Sequence, residues 1–208
     1  MKRRILKENR KYTFSDYFDL NGSTEEIAKE LGYSFYREAI SLPRSENYHS
    51  EDVKRLQDTF YTILSKITTD SEIAKREFLI APILIEIARI TDARINVEYP
   101  IEINDKLSGS LDYLIRAKQN LLVIEARKGD LDKGFSQLSA ELIALDEYEE
   151  DNVQNILYGA ITMGNVWGFG VLKRDEKHII KDIDVYTIPG NTDRIFSILL
   201  GILTFQDV

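Results

Sequence analysis

Asp112 and Glu125 have the clearest capacity for chemistry in this chain. They stand thirteen positions apart, in the segments SGSLDYLIRA and NLLVIEARK. Between those segments lies Ala117-Lys118-Gln119-Asn120, a connection short enough for a β-hairpin. With Lys118 and Gln119 as a two-residue loop, Leu111 to Ala117 pairs with Asn120 to Ala126, and Asp112 falls directly opposite Glu125. Directly opposed residues of antiparallel strands share a face, with Cβ atoms ~5 Å apart. Two carboxylates at that separation repel unless a cation lies between them. A hydrated Mg²⁺ or Mn²⁺ suits the place, being a hard ion satisfied by one or two carboxylates plus water. A loop one residue longer or shorter would put the two acids on opposite faces. The plainer alternative is that Asp112 ends a strand or caps a turn while Glu125 pairs with Arg127 or a surface lysine. Against it, Glu125 interrupts the apolar run LLVIEA, where an unpartnered charge is costly.

The elements that must position this pair are legible from periodicity. Asn21-Gly22-Ser23 is a turn into a helix, with Ser23 as N-cap and Glu26 completing a capping box, ending near Gly32. A second helix, from Ser50 to about Ile67, places Val53, Leu56, Phe60, Ile63, Leu64 and Ile67 on one face. A third begins near Asp70 and carries the apolar stretch from Phe78 to Ile90, with a kink or break expected at Pro82. The texture then turns to strands: RINVEYPIEI, SGSLDYLIRA and NLLVIEARK. A helix from about Leu131 to Tyr148 follows, with Phe135, Leu138, Leu142 and Leu145 on one face. ILYGAITM, VWGFGVLKR and IKDIDVYTI are further strands, and IFSILLGILTF closes the chain as an apolar helix. This order predicts an α/β protein, an α+β mixed sheet flanked by helices. It reads as a single domain over residues 1–208, with a mostly helical amino-terminal extension (1–68) before a core (69–208).

Bulk properties narrow the function classes. A chain of 208 residues, 43% hydrophobic and 30% charged, is long enough for one domain with a real core. The absence of cysteine excludes a disulfide framework and any thiolate metal site. The start MKRRILKENRK lacks an apolar h-region, and no apolar run is long enough to span a bilayer, so a soluble, cytoplasmic protein is expected. The net charge of −8 is not that of a generic nucleic-acid binder. Residues 1–11 nonetheless hold six Lys or Arg against one Glu, and Glu141 to Asp151 holds six acids and no base. The basic arm could touch phosphates or be a solvated terminus, and the acidic run after Leu145 reads as a solvated helix end. His49 and His178 lack metal-ligand spacing and are expected to be inert. Trp167 and Phe169 are expected in the core rather than on a base-stacking platform.

Taken in order, the segments resemble the PD-(D/E)xK, or restriction-endonuclease-like, nuclease superfamily. The likeness rests on Gly109-Ser110-Leu111-Asp112, then Val123-Ile124-Glu125-Ala126-Arg127, then Gly134-Phe135-Ser136-Gln137, then the run from Tyr158 to Phe169, YGAITMGNVWGF. It is nearest to cyanobacterial-type restriction-endonuclease-like proteins and to the amino-terminal nuclease domain of type I restriction enzyme R subunits. TFSDYFDL and ELGYSFYREAISLP add to it, so it spans nearly the whole chain.

The resemblance implies a restriction-endonuclease-like core and a metal-dependent DNA endonuclease using Mg²⁺ or Mn²⁺. Asp112 and Glu125 would be metal ligands, Glu77 a further ligand from the helix before the sheet, and Gln137 a neighbour orienting water or phosphate. Glu77 could equally pair with Arg76 or Lys75, and Gln137 could face solvent. A homodimer would present two such sites, and a restriction-modification partner would fit the family. Where the family has Lys, this chain has Arg127, followed by Lys128. Arginine supplies charge and hydrogen bonds but cannot act as a base. Lys128 reaches the same face only if the strand bends, which Gly129 would permit. Two expectations therefore stand: a nuclease, or a catalytically inactive nuclease-fold protein serving as a nucleic-acid- or protein-binding module.

Overall fold

The computed structural model describes residues 4–117, 121–126, 129–148 and 154–205. The expected Lys118-Gln119 loop, Arg127 and Lys128 lie outside them. Seven strands form one mixed sheet: β1 (Ser34–Glu38), β2 (Arg94–Glu102), β3 (Ser108–Arg116), β4 (Leu121–Ala126), β5 (Ile156–Thr162), β6 (Val166–Lys173) and β7 (His178–Thr187), in the order β1-β7-β6-β5-β4-β3-β2. The pairs β4–β5 and β1–β7 are parallel and the others antiparallel. The expected α/β architecture of a mixed sheet flanked by helices is the one observed.

One face of the sheet carries α1 (Phe14–Phe18), α2 (Thr24–Glu30) and α6 (Leu131–Tyr148). The other carries α3 (Ser50–Ile63), α5 (Ala81–Ile90) and α7 (Thr192–Thr204), with the short α4 (Glu72–Lys75) preceding α5 in the chain. Strand alternation divides the core between them: Ile115, Leu122 and Ile124 pack towards α3, α5 and α7, whereas Leu157, Ile161 and Leu172 pack towards α6. Trp167 and Phe169 are fully buried in the first of these layers, as core packing requires, and the indole N–H donates to the Gly164 carbonyl.

Helix α6 is the crossover between parallel β4 and β5, a connection no tight turn can make. It is buried without interruption from Gly134 to Leu145, because α1 and α2 cover the side that faces away from the sheet. Glycines on the strands let it lie close. A Cβ at Gly170 would sit 2.4 Å from Phe135 Cζ, and one at Gly159 would sit 3.1 Å from the Leu138 methyls.

Residues 70–90 break near Pro82, one of the two outcomes expected there, into α4, a π-helical turn (Arg76–Ile80) and α5; the π-helical turn was not expected. Pro82 lies in the first turn of α5, where its missing N–H and its ring deny the preceding turn the usual α-helical bond. The amino-terminal segment is also not only helical: Ser34–Glu38 adds β1 to the sheet edge beside β7. Among the described residues no helix is long and apolar enough to cross a membrane.

Candidate carboxylate site

The ladder between β3 and β4 pairs Arg116 with Leu121, Ile115 with Leu122, Leu114 with Val123, and Tyr113 with Ile124. This is the register that a two-residue loop at Lys118-Gln119 dictates; the ladder ends at Tyr113 and Ile124, and Asp112 and Glu125 are the residues that follow on the two strands. On its other side Glu125 is aligned with Ile161 of β5. Strand β3 is irregular at this point. Leu111 packs in the α6 layer and Tyr113 in the opposite layer, although regular alternation would send both the same way. Opposite Asp112, the edge strand β2 holds Glu98 at φ 53°, a left-handed backbone rare for a residue with a side chain.

The two acids have different surroundings. Glu125 is buried (1% exposed), as are Gln137 (1%) and Glu141 (0%) of α6. The Gln137 Nε2 group donates to Glu125 Oε1 at 2.8 Å and to Glu141 Oε1 at 2.8 Å. Asp112 is only partly buried, and its Oδ1 lies 3.4 Å from the Arg76 guanidinium. Arg76 also bonds Glu98 and sits over the Tyr113 ring, its guanidinium carbon 5.2 Å from the ring centre. Burial works against its charge, but Glu98, Tyr113 and Asp112 more than offset this and hold the guanidinium pKa above its ordinary value.

The expected site residues other than Arg127 can now be placed. Asp112 and Glu125 lie on the adjoining strands β3 and β4, each one residue beyond the last ladder pair. Gln137, whose side of the helix was open, is buried and aimed at Glu125, so its amide nitrogen is committed to two carboxylates. Glu77 lies on the π-helical turn and is exposed; its neighbour Arg76 is the helical residue that meets Asp112. Gly129 adopts φ 109° at a bend, a backbone geometry that favours glycine. His49 is exposed, and His178 is half-buried against the Tyr36 ring. Of the acidic run, Asp146 is not solvated, for it accepts from Tyr33 Oη at 2.7 Å and from Arg174 Nε at 2.6 Å.

Sequence reasoning missed Arg76, Glu98 and Glu141. Only Glu141 carried a signal, standing one helical turn after Gln137 inside the apolar stretch LSAELIAL, on the same helix face.

Carboxylate oxygens are the donors a hard divalent cation takes, one or two of them beside water; Asp112 offers its own beside Arg76 of the π-helical turn, and Glu125 offers its own beside Gln137 of α6. Among the described residues no group of three or more acids or histidines forms a denser metal cluster. Compared with protein-family models and with curated proteins, the chain matches none.

Proposed function

We propose that this protein is a metal-dependent phosphodiesterase acting on DNA, with Asp112 and Glu125 as the residues that hold a divalent cation. The observation that carries the proposal is the β3–β4 register, whose last pair, Tyr113 with Ile124, is followed on the two strands by Asp112 and Glu125. DNA as the substrate class rests on the resemblance to the PD-(D/E)xK superfamily. A bound Mg²⁺ or Mn²⁺ supplies Lewis-acid polarisation of the phosphate and lowers the pKa of coordinated water. The chain's own residues do the rest. Gln137 fixes the Glu125 carboxylate, and Arg127 brings positive charge to the phosphate oxygens as negative charge develops on them. Glu77, exposed on the π-helical turn, contributes through water.

Plasmid nicking with Mg²⁺ or Mn²⁺ tests the proposal. Wild-type protein nicks, while Asp112→Ala and Glu125→Ala do not. Nicking that survives in either variant assigns the activity to another site or to a contaminant.

A second reading, a nuclease fold retained for binding alone, draws on a specific observation: the Arg76 guanidinium already stands at Asp112. With Arg127 in place of lysine, such a protein would bind DNA or a protein partner without cutting. It predicts no nicking in any metal and no heat on Mn²⁺ titration.

A further inference from the structure

Glu141 lies in the middle of α6, fully buried, in a stretch where every residue from Gly134 to Leu145 is buried. A carboxylate in such a place works against the fold. Glu141 accepts from Gln137, one turn earlier, whose Nε2 group gives one N–H to Glu141 and the other to Glu125.

The chemistry of that contact is directional. Both neighbours are acceptors, so only the nitrogen end of the Gln137 amide can face them. Two acceptors at 2.8 Å each fix the plane of the amide as well as its end. One acceptor, Glu141, sits on the same helix and cannot move independently. The other, Glu125, sits on β4.

We infer that Glu141 is a positioning residue of the carboxylate site, anchoring Gln137 and, through it, setting the direction of the Glu125 carboxylate. Partners of this kind, one bond removed from a metal ligand, orient it and tune its affinity. The inference rests on Glu125 being a cation ligand, as proposed above.

The test pairs two measurements on the full chain: thermal unfolding without metal, and Mn²⁺ binding by calorimetry. Glu141→Leu is expected to fold, with a lowered melting temperature because a buried Gln137 N–H loses its acceptor, while weakening Mn²⁺ binding by roughly tenfold to a hundredfold, the usual range for such outer partners. Glu141→Gln keeps an amide oxygen able to accept from Gln137 and restores most of the affinity. In Gln137→Leu the affinity falls similarly, and adding Glu141→Leu to it causes no further loss.

Wild-type affinity in Glu141→Leu overturns the inference, as do additive losses in the double variant. A Glu141→Leu chain that does not fold assigns the residue to stability and overturns it too. Wild-type protein that binds no Mn²⁺ instead removes the ligand role of Glu125, and the inference falls with it. The two failures are thus told apart by whether the wild-type chain binds.

Discussion

The α6 side and the π-helical side of the site are built to different standards. On the α6 side, Glu125, Gln137 and Glu141 are sealed from solvent and joined by two short hydrogen bonds. On the other side Asp112 is partly exposed, faces an irregular edge strand with Glu98 at a left-handed φ, and meets a long guanidinium at 3.4 Å. The contrast teaches where a cation would be admitted. Glu125 is held by a fixed scaffold, whereas Asp112 is held by a mobile-length side chain that brings its own charge. A divalent ion must compete with Arg76 at Asp112.

The largest expected effect attacks the scaffold of the α6 side. Gly170→Val would place side-chain atoms where a Cβ alone lies 2.4 Å from Phe135 and 2.8 Å from the Ile180 carbonyl oxygen. Overpacking of this kind destabilises by about 1–3 kcal/mol or more, read as a lower urea midpoint. Gln137→Leu comes next. It withdraws a donor from two buried carboxylates, at about 1–3 kcal/mol in all, whereas Asp112→Asn on the partly exposed side costs under about 1 kcal/mol. Equal losses in these two variants would erase the distinction between the sides.

Arg76→Gln sharpens the contrast from the other direction. Removing the resident cation from Asp112 raises Mn²⁺ affinity a few-fold, matching the ~0.2–1 kcal/mol of a partly exposed ion pair, as calorimetry will read. A drop in affinity would make Arg76 part of the cation site and not its competitor.

The smallest effect lies at the exposed start of α6. Hydrogen bonding to Lys181 is the main reason the Asp132 carboxyl pKa falls below its ordinary value of 3.8, with the Lys181 and Arg37 charges adding to it. A lowered folded pKa contributes stability that is complete above the unfolded value and is lost as pH falls through the folded one. Asp132→Asn therefore lowers the melting temperature slightly at neutral pH, and the gap to wild type closes only below pH 3.8. Because Asp132 is half exposed, solvent screening keeps the difference under about 1 kcal/mol.

Local signals carried much of this architecture. The Ser23–Glu26 capping box forms as its spacing dictates, and α6 spans Leu131–Tyr148 as its apolar repeat requires. The β3–β4 register followed from hairpin length alone, because strand faces alternate with period two. What was hidden depended on tertiary partners. The strand at Ser34–Glu38 is short and mostly exposed, and it exists through pairing with a segment over a hundred residues away. The side of Gln137 could not be read because α6 is buried all round and has no polar face to contrast with an apolar one. Arg76 reaches Asp112 and Glu98 from a π-helical turn, and nothing in the spacing of REFLIAP anticipates that widened turn beyond the break at Pro82.

The most direct test is a Mn²⁺-soaked crystal of the full chain. The prediction is one anomalous peak bonded to carboxylate oxygens of both Asp112 and Glu125 at about 2.1–2.2 Å, with Arg76 drawn back towards Glu98. A site with no peak, or an ion bound to one of these acids while the other keeps its protein partner, would contradict the shared grip on which the proposed chemistry depends.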